Sequence, residues 1–227
     1  MSDVGPQQRA AAPLSDLFAT AVHRFGNAWA DLVTATIVAV GIAFVPVLIV
    51  SSRAGASDIF VTSVFCFGVA YFEVLGFVVL RGLPGPAPAA RVAATYGAGV
   101  VVGLTAGLLV LVLQPYSLVP LPALLLIIPA IAAGDRAPAA AFIYGPGVAV
   151  RNFGRTWTMW GITILFCGPI VISMFLMLTA VAGSVTATLL ALALSAPIAW
   201  PVSALFIRAL YGDLTGRVVV APQDRTG

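Results

Sequence analysis

Long apolar runs separated by short polar segments dominate this chain, and their lengths predict membrane-spanning helices. A helix needs roughly 20 apolar residues to cross about 30 Å of hydrocarbon. Six runs are candidates for such helices, at residues 32–51, 58–80, 93–113, 117–133, 157–181 and 185–211. The fourth run is short and contains Pro120, Pro122 and Pro129, so a re-entrant or broken helix is its main alternative.

A helical periodicity precedes the first run. Apolar residues recur there at spacings of three and four, at Leu14, Leu17, Phe18, Val22, Phe25 and Trp29. This spacing is typical of an amphipathic helix in the membrane interface. The first long apolar run also begins too late, and is too long, for a cleaved signal peptide. We therefore expect a disordered tail at 1–13, one membrane domain at 14–217 and a C-terminal tail at 218–227.

Part of this interfacial segment occurs twice. The stretch AVHRFGNAW at 21–29 shares five of nine letters, in register, with AVRNFGRTW at 149–157. The match predicts a parallel internal repeat over 14–83 and 138–211, each copy an interfacial amphipathic helix followed by a two-span hairpin. The predicted interfacial anchors are Phe25, Trp29, Phe153 and Trp157. The alternative is that Arg, Gly and Trp gather wherever a span begins at the cytoplasmic face.

Composition supports a lipid environment. Hydrophobic residues make up 61% of the chain and charged residues 8%, with a mean hydropathy of +1.08, whereas a soluble domain carries about a quarter charged residues. The fold class predicted is therefore an all-α membrane protein with six transmembrane helices. The basic residues are all arginine, which together with the Ala and Gly content suggests a GC-rich genome.

The positions of the arginines predict the orientation. With six spans, one side of the membrane holds ten of the 11 basic residues and the other side holds Arg53 alone. Because cytoplasmic loops are enriched in basic residues, both termini should be cytoplasmic. The ten are Arg9, Arg24, Arg81, Arg91, Arg136, Arg151, Arg155, Arg208, Arg217 and Arg225.

Two segments resemble a known family. The stretch from Pro129 to Phe166 resembles the middle of YciC-like six-span bacterial membrane proteins, which are grouped with the membrane domain of some glycerophosphoryl diester phosphodiesterases. The matching positions are Gly145, Pro146, Ala149, Arg151, Asn152, Phe153 and Trp157, and, in the closing pattern, Leu210, Tyr211, Asp213, Leu214 and Arg217. The chain departs from the pattern at Tyr144, where the family commonly has an acidic residue.

The resemblance implies a six-span layout in a bacterial cytoplasmic (inner) membrane. It implies no activity, because the family has no assigned chemistry. The phosphodiesterase catalytic domain is not part of this sequence, so that activity is not carried over.

Few residues suggest chemistry. His23 has no second metal ligand nearby in sequence, and no nucleotide-binding or hydrolase motif occurs. Cys66 and Cys167 lie in apolar runs and are interpreted as packing residues. We therefore expect no enzyme activity, cofactor, metal or nucleic-acid partner. Gly99, Gly103 and Gly107 share one face of the third run and predict close helix packing, within the chain or with another protein.

Glu73 is the exception in the second run. It lies eight residues before Arg81, about 12 Å deep at 1.5 Å per residue, where a carboxylate costs several kcal/mol unless it is protonated, paired or hydrated. One interpretation is a structural ion pair with Arg208, and the other is an ionisable group that relays protons or cations.

Two functions remain open from sequence. The first is a non-enzymatic accessory or scaffold subunit packing against a larger membrane complex, favoured by the scarcity of chemistry and by the glycine face. The alternative is a small transporter or channel with Glu73 as its intramembrane ionisable group. The predicted partners are the lipid bilayer and other membrane protein subunits.

Overall fold

The computed structural model describes residues 11–53, 55–179 and 184–216, and in this part of the chain helices are joined by short turns, without strands. The eight α-helices are α1 (Leu14–Ser51), α2 (Ala56–Arg81), α3 (Ala89–Leu113), α4 (Leu121–Leu125), α5 (Ile127–Ala132), α6 (Pro138–Arg151), α7 (Phe153–Thr179) and α8 (Ser184–Leu214). Most of the predicted tails, 1–10 and 218–227, lies outside these residues. Among the described residues, five helices (α1, α2, α3, α7 and α8) are long and apolar enough to cross a membrane, which confirms that this part of the chain is all-helical and of membrane-protein type.

Three helices form the centre of the bundle. α1, α2 and α8 each contact the other two, while α3 packs on the far side of α2 and α7 on the far side of α8. Most of the largest fully buried side chains lie towards one end of the bundle, in the second half of α2, in α4–α5 and near the end of α8. Examples are Leu75, Leu126, Ile128, Phe206 and Leu210. The core therefore fills the half of the bundle that contains the C-terminal ends of α2 and α8.

Charged and polar side chains cover that same end. Arg81 forms an ion pair with Asp31, joining α2 to α1. Arg155 Nη2 lies 2.8 Å from Asp213 Oδ2, joining α7 to α8. The Tyr211 hydroxyl donates to Asp135, which follows α5. These contacts bring together residues that the arginine distribution assigned to one side of the membrane.

The beginning of the chain is held at this end as well. The Ala12 N–H donates to Asp213 Oδ1 over 3.1 Å, and the Ala12 carbonyl accepts from Arg155 over 2.6 Å. The last residues of the predicted disordered tail are thus anchored. α1 then bends at Ala28, where φ is −127° and ψ is 18°. Just after the bend, Asp31 lies at the charged end, where it pairs with Arg81. The part of α1 before the bend therefore runs across the bundle, with Phe18 packed edge-on against Phe206.

The fourth predicted span is not one helix. A 3-10 turn at Gln114–Leu118 precedes α4, and Leu126 separates α4 from α5. The cause is Pro120, Pro122 and Pro129, because proline lacks an N–H and clashes with the preceding helical turn.

This broken segment nevertheless leads back along α3. Gly134, with φ of +75°, ends α5 in a Schellman closure in which the Asp135 N–H donates to the Ala130 carbonyl. A Cβ at Gly134 would lie 2.8 Å from the guanidinium of Arg91 in the first turn of α3. The chain thus returns from the last turn of α3 to the level of its first turn.

The two copies of the repeated motif adopt different local structures. In the second copy α6 ends at Arg151. The Asn152 side chain donates to the Val148 carbonyl over 2.9 Å, and the Asn152 backbone leaves the helical conformation with φ of −113°. In the first copy Arg24 stands at that position, the helix continues, and the bend comes four residues later at Ala28. In both copies, however, a helix leads into a long hairpin, α1–α2 or α7–α8.

Gly99, Gly103 and Gly107 are buried against α2. A Cβ at Gly103 would lie 2.5 Å from the Val69 Cα, and one at Gly107 would lie 2.7 Å from the Phe65 ring. Gly68 of α2 is also needed for this close helix contact, since a Cβ there would lie 2.9 Å from the Gly103 carbonyl oxygen. The two backbones therefore approach more closely than side chains would allow.

Gly103→Ala should destabilise the protein, because its methyl group would meet the α2 backbone and the two helices would have to separate. Overpacking of this kind costs about 1–3 kcal/mol. The matched control is Gly97→Ala on the same helix, where a Cβ meets nothing within 4 Å. Thermal melting in detergent should show a clear decrease for Gly103→Ala alone, and equal melting of both variants would contradict the close α2–α3 contact.

Candidate functional site

Glu73 is the only glutamate in the chain and lies inside α2. Its side chain is half-buried, and its Oε1 atom is buried with no hydrogen-bond partner among the described residues. A carboxyl group within a spanning helix is costly unless it is protonated or paired. This atom is therefore the polar group of the helical bundle that most requires an explanation.

Gly99 makes room for the carboxyl group. A Cβ at Gly99 would lie 2.7 Å from Glu73 Oε1 and 3.3 Å from its carboxyl carbon. Gly99 therefore has a second role besides close packing of α3 against α2. It lets the carboxyl group rest against the α3 backbone, and any larger residue would displace it.

The expected ion pair between Glu73 and Arg208 is not formed. The Arg208 guanidinium instead donates to the carbonyl of Gly82, the residue that caps α2. The carbonyls at a helix C-terminus have no intrahelical donor and carry partial negative charge. They offer Arg208 a nearer acceptor at the charged end than the Glu73 carboxylate, which lies about 13 Å before Gly82 along α2.

An apolar groove opens beside Glu73. Its volume is about 530 Å³, and it runs between α1 and α3 with α2 as its floor. Three alanines spaced four residues apart on α1, Ala35, Ala39 and Ala43, leave room on one side. Ile42 on one rim is 67% exposed and Leu104 on the other is 45% exposed, so the groove opens on the surface that faces lipid in a membrane.

Three aromatic side chains line this groove, namely Phe65 and Phe77 of α2 and Tyr96 of α3. The other polar side chains in its lining are Glu73 and Cys66, and every lining residue of α1 is apolar. The groove thus combines a carboxyl group, a phenol and aromatic faces in an otherwise hydrocarbon-like wall.

A second, smaller cavity of about 240 Å³ lies between α2, α7 and α8. The hydroxyls of Tyr71 and Ser203 lie 2.7 Å apart on its wall, and the Cys167 thiol points to the Ala199 carbonyl at 3.6 Å. Sequence reasoning did not identify Tyr71 and Ser203, because they are 132 residues apart and belong to no local motif. Cys66 and Cys167 are both free thiols.

The four predicted interfacial anchors lie in different environments. Trp29 is 60% exposed, whereas Phe25 is half-buried and packs on the main core. Phe153 stacks on Trp157, with ring centroids 4.2 Å apart. These side chains flank the charged end of the bundle rather than the groove.

His23 is exposed, with Asn27 as its neighbour at 3.3 Å. Within the part of the chain that the structure describes, no group of three or more His, Cys, Asp or Glu residues is placed to hold a metal ion.

Comparisons with protein-family models, with curated proteins and with solved structures find nothing that matches this chain, so the likeness to YciC-like proteins remains an expectation from the sequence.

Proposed function

We propose that this chain is a non-enzymatic integral membrane protein that works as a small transporter or channel, with Glu73 as its intramembrane ionisable group. The observation that carries the proposal is the Glu73 Oε1 atom beside a lipid-facing groove, with no hydrogen-bond partner in the described part of the chain. An intramembrane carboxyl group that serves structure alone is normally paired with a cation. Glu73 has no such partner among the described residues, and Arg208 is engaged elsewhere.

The proposed topology has six membrane crossings, the fourth of which is the broken segment 114–133. Its return to the level of Arg91 supports this count, and interrupted helices are common near the substrate sites of transporters. The arginine distribution supports cytoplasmic termini in a bacterial inner membrane. The hairpins α1–α2 and α7–α8 support a parallel repeat, because the first follows the part of α1 before the bend at Ala28 and the second follows α6.

An accessory or scaffold subunit is the second candidate. The groove extends over about three helical turns of α2, from Phe65 to Phe77, and a partner helix could lie along it. This role ranks lower because the glycine face, the feature that first suggested a partner, is already covered by α2.

Single cysteines in a variant with Cys66 and Cys167 replaced by serine test the topology. A membrane-impermeant maleimide added to intact cells should label a cysteine at Ser52 but not one at Ala89, Ala137 or Gly227. Ala137 is the decisive position, because it follows the broken segment directly. If Ala137→Cys is labelled from outside, segment 114–133 is re-entrant and the six-crossing topology is wrong.

Glu73→Gln tests the function. The variant should fold as well as the wild-type protein, because it leaves no counter-ion unpaired. Its cation flux, however, should fall at least tenfold. The assay is proton entry into proteoliposomes under an imposed membrane potential, read with a pH-sensitive dye inside the vesicles.

The matched control is Asp58→Asn, which removes a carboxylate from the first turn of the same helix, and this variant should keep its flux. Wild-type flux in Glu73→Gln would exclude the transporter and leave the accessory subunit.

A further inference from the structure

We propose that the groove between α1, α2 and α3 binds a lipophilic organic cation, whose charge meets the Glu73 carboxylate and whose apolar body contacts the aromatic side chains. This inference rests on the proposed function, in that both take Glu73 as the working group, but it concerns the ligand rather than transport.

The charge of the site requires a cation or a proton. Glu73 Oε1 is buried with no donor within the described part of the protein. Tyr96 is the other oxygen-bearing side chain in the groove lining. An ionised carboxylate in these apolar surroundings is stable only beside a positive charge.

The scarcity of oxygen atoms argues against a bare metal ion. Ca²⁺ takes six to eight oxygen ligands, and Mg²⁺ requires near-octahedral coordination. One carboxylate and one phenol, set among methyl groups and aromatic rings, cannot replace such a shell. A cation whose charge is spread over, or shielded by, hydrocarbon needs no such ligands.

The walls favour the same class of ligand. Phe65, Phe77 and Tyr96 present three aromatic side chains to the groove that contains Glu73. Aromatic faces attract cations through their quadrupoles and are the usual means by which proteins bind quaternary ammonium groups. The volume of about 530 Å³ lies within the range of roughly 300–1,000 Å³ typical of small-molecule sites.

The groove is reached from the bilayer. Its rims on α1 and α3 carry exposed apolar side chains, Val38, Ile42 and Leu104. A lipophilic cation that has partitioned into the membrane can therefore enter sideways, without a water-filled path. Glu73 lies about 12 Å along α2 from Arg81, so the ligand would be held within the hydrocarbon region.

Protons should compete with this ligand for the same carboxyl group. The titratable groups that face Glu73 within the groove are Tyr96 of α3 and Cys66 of α2, and the lining residues of α1 contribute none. Protonation of Glu73 would remove the charge that holds the cation, so binding should weaken as the pH falls.

Equilibrium binding of tetraphenylphosphonium to the purified full-length protein in nanodiscs tests the inference. Above the binding to empty nanodiscs of the same lipid, the wild-type protein should bind this cation, whereas tetraphenylborate, an anion of the same shape, should show no such excess. Glu73→Gln should weaken tetraphenylphosphonium binding at least tenfold, and Phe77→Leu should weaken it roughly tenfold through loss of one aromatic face. Asp58→Asn, at the other end of α2, should bind as the wild type does.

The outcomes separate the ligand from the proposed function. Equal binding of both probes, or unchanged binding by Glu73→Gln, would overturn the inference, because the groove would then be acting as a hydrophobic surface. Absence of tetraphenylphosphonium binding, together with proton flux that depends on Glu73, would also overturn it and leave the transporter intact. Binding that depends on Glu73 without any flux would support the cation site and refute transport.

Discussion

The close approach of α2 and α3 is the contact on which the rest of the site depends. Because Gly103 and Gly68 have no side chains, the two backbones come within a distance that a single Cβ would prevent. The same approach sets Gly99 beside Glu73 and lets the carboxyl group settle against α3. α3 packs closely on one side of α2 and α1 packs on the other. The groove is the space between α1 and α3, above the surface of α2.

The charged end of the bundle explains why Glu73 has no counter-ion among the residues that the structure describes. The ion pairs Arg81–Asp31 and Arg155–Asp213, together with the Arg208–Gly82 hydrogen bond, engage basic side chains where the helices end. Each of these arginines finds its acceptor without reaching into the apolar part of the bundle. The carboxyl group is therefore separated from the positive charge that the bundle carries, and this separation keeps it open to a proton or to a ligand.

Much of the fold follows from the sequence, because the length of an apolar run determines whether a helix can cross a membrane. The second run, predicted at 58–80, is α2 at Ala56–Arg81, and the third, at 93–113, is α3 at Ala89–Leu113. The prolines of the fourth run suggested a broken helix, but their positions could not show that the chain returns to Arg91. The motif at 149–157 predicted a repeat, yet the two copies differ at four of nine positions, and the helix ends where Asn152 replaces Arg24 and its side chain donates to the Val148 carbonyl.

The candidate site could be predicted only in part. The depth of Glu73 follows from the helical rise, and the spacing of Gly99, Gly103 and Gly107 indicates a close helix contact without identifying its partner. The missing ion pair could not be foreseen, because it depends on where Arg208 of α8 meets the last carbonyls of α2. The groove requires the relative positions of three helices, and no local pattern encodes these.

The most direct measurement is the reaction of the protein in its membrane with dicyclohexylcarbodiimide, a lipid-soluble reagent that adds to protonated carboxyl groups in apolar surroundings. If the Glu73 carboxyl is unpaired and reachable from the lipid, mass spectrometry should find one adduct per chain, located on Glu73. Excess tetraphenylphosphonium should slow its formation, and the adduct should be absent from Glu73→Gln. An unmodified Glu73, or modification of Asp58 at the same rate, would contradict the account.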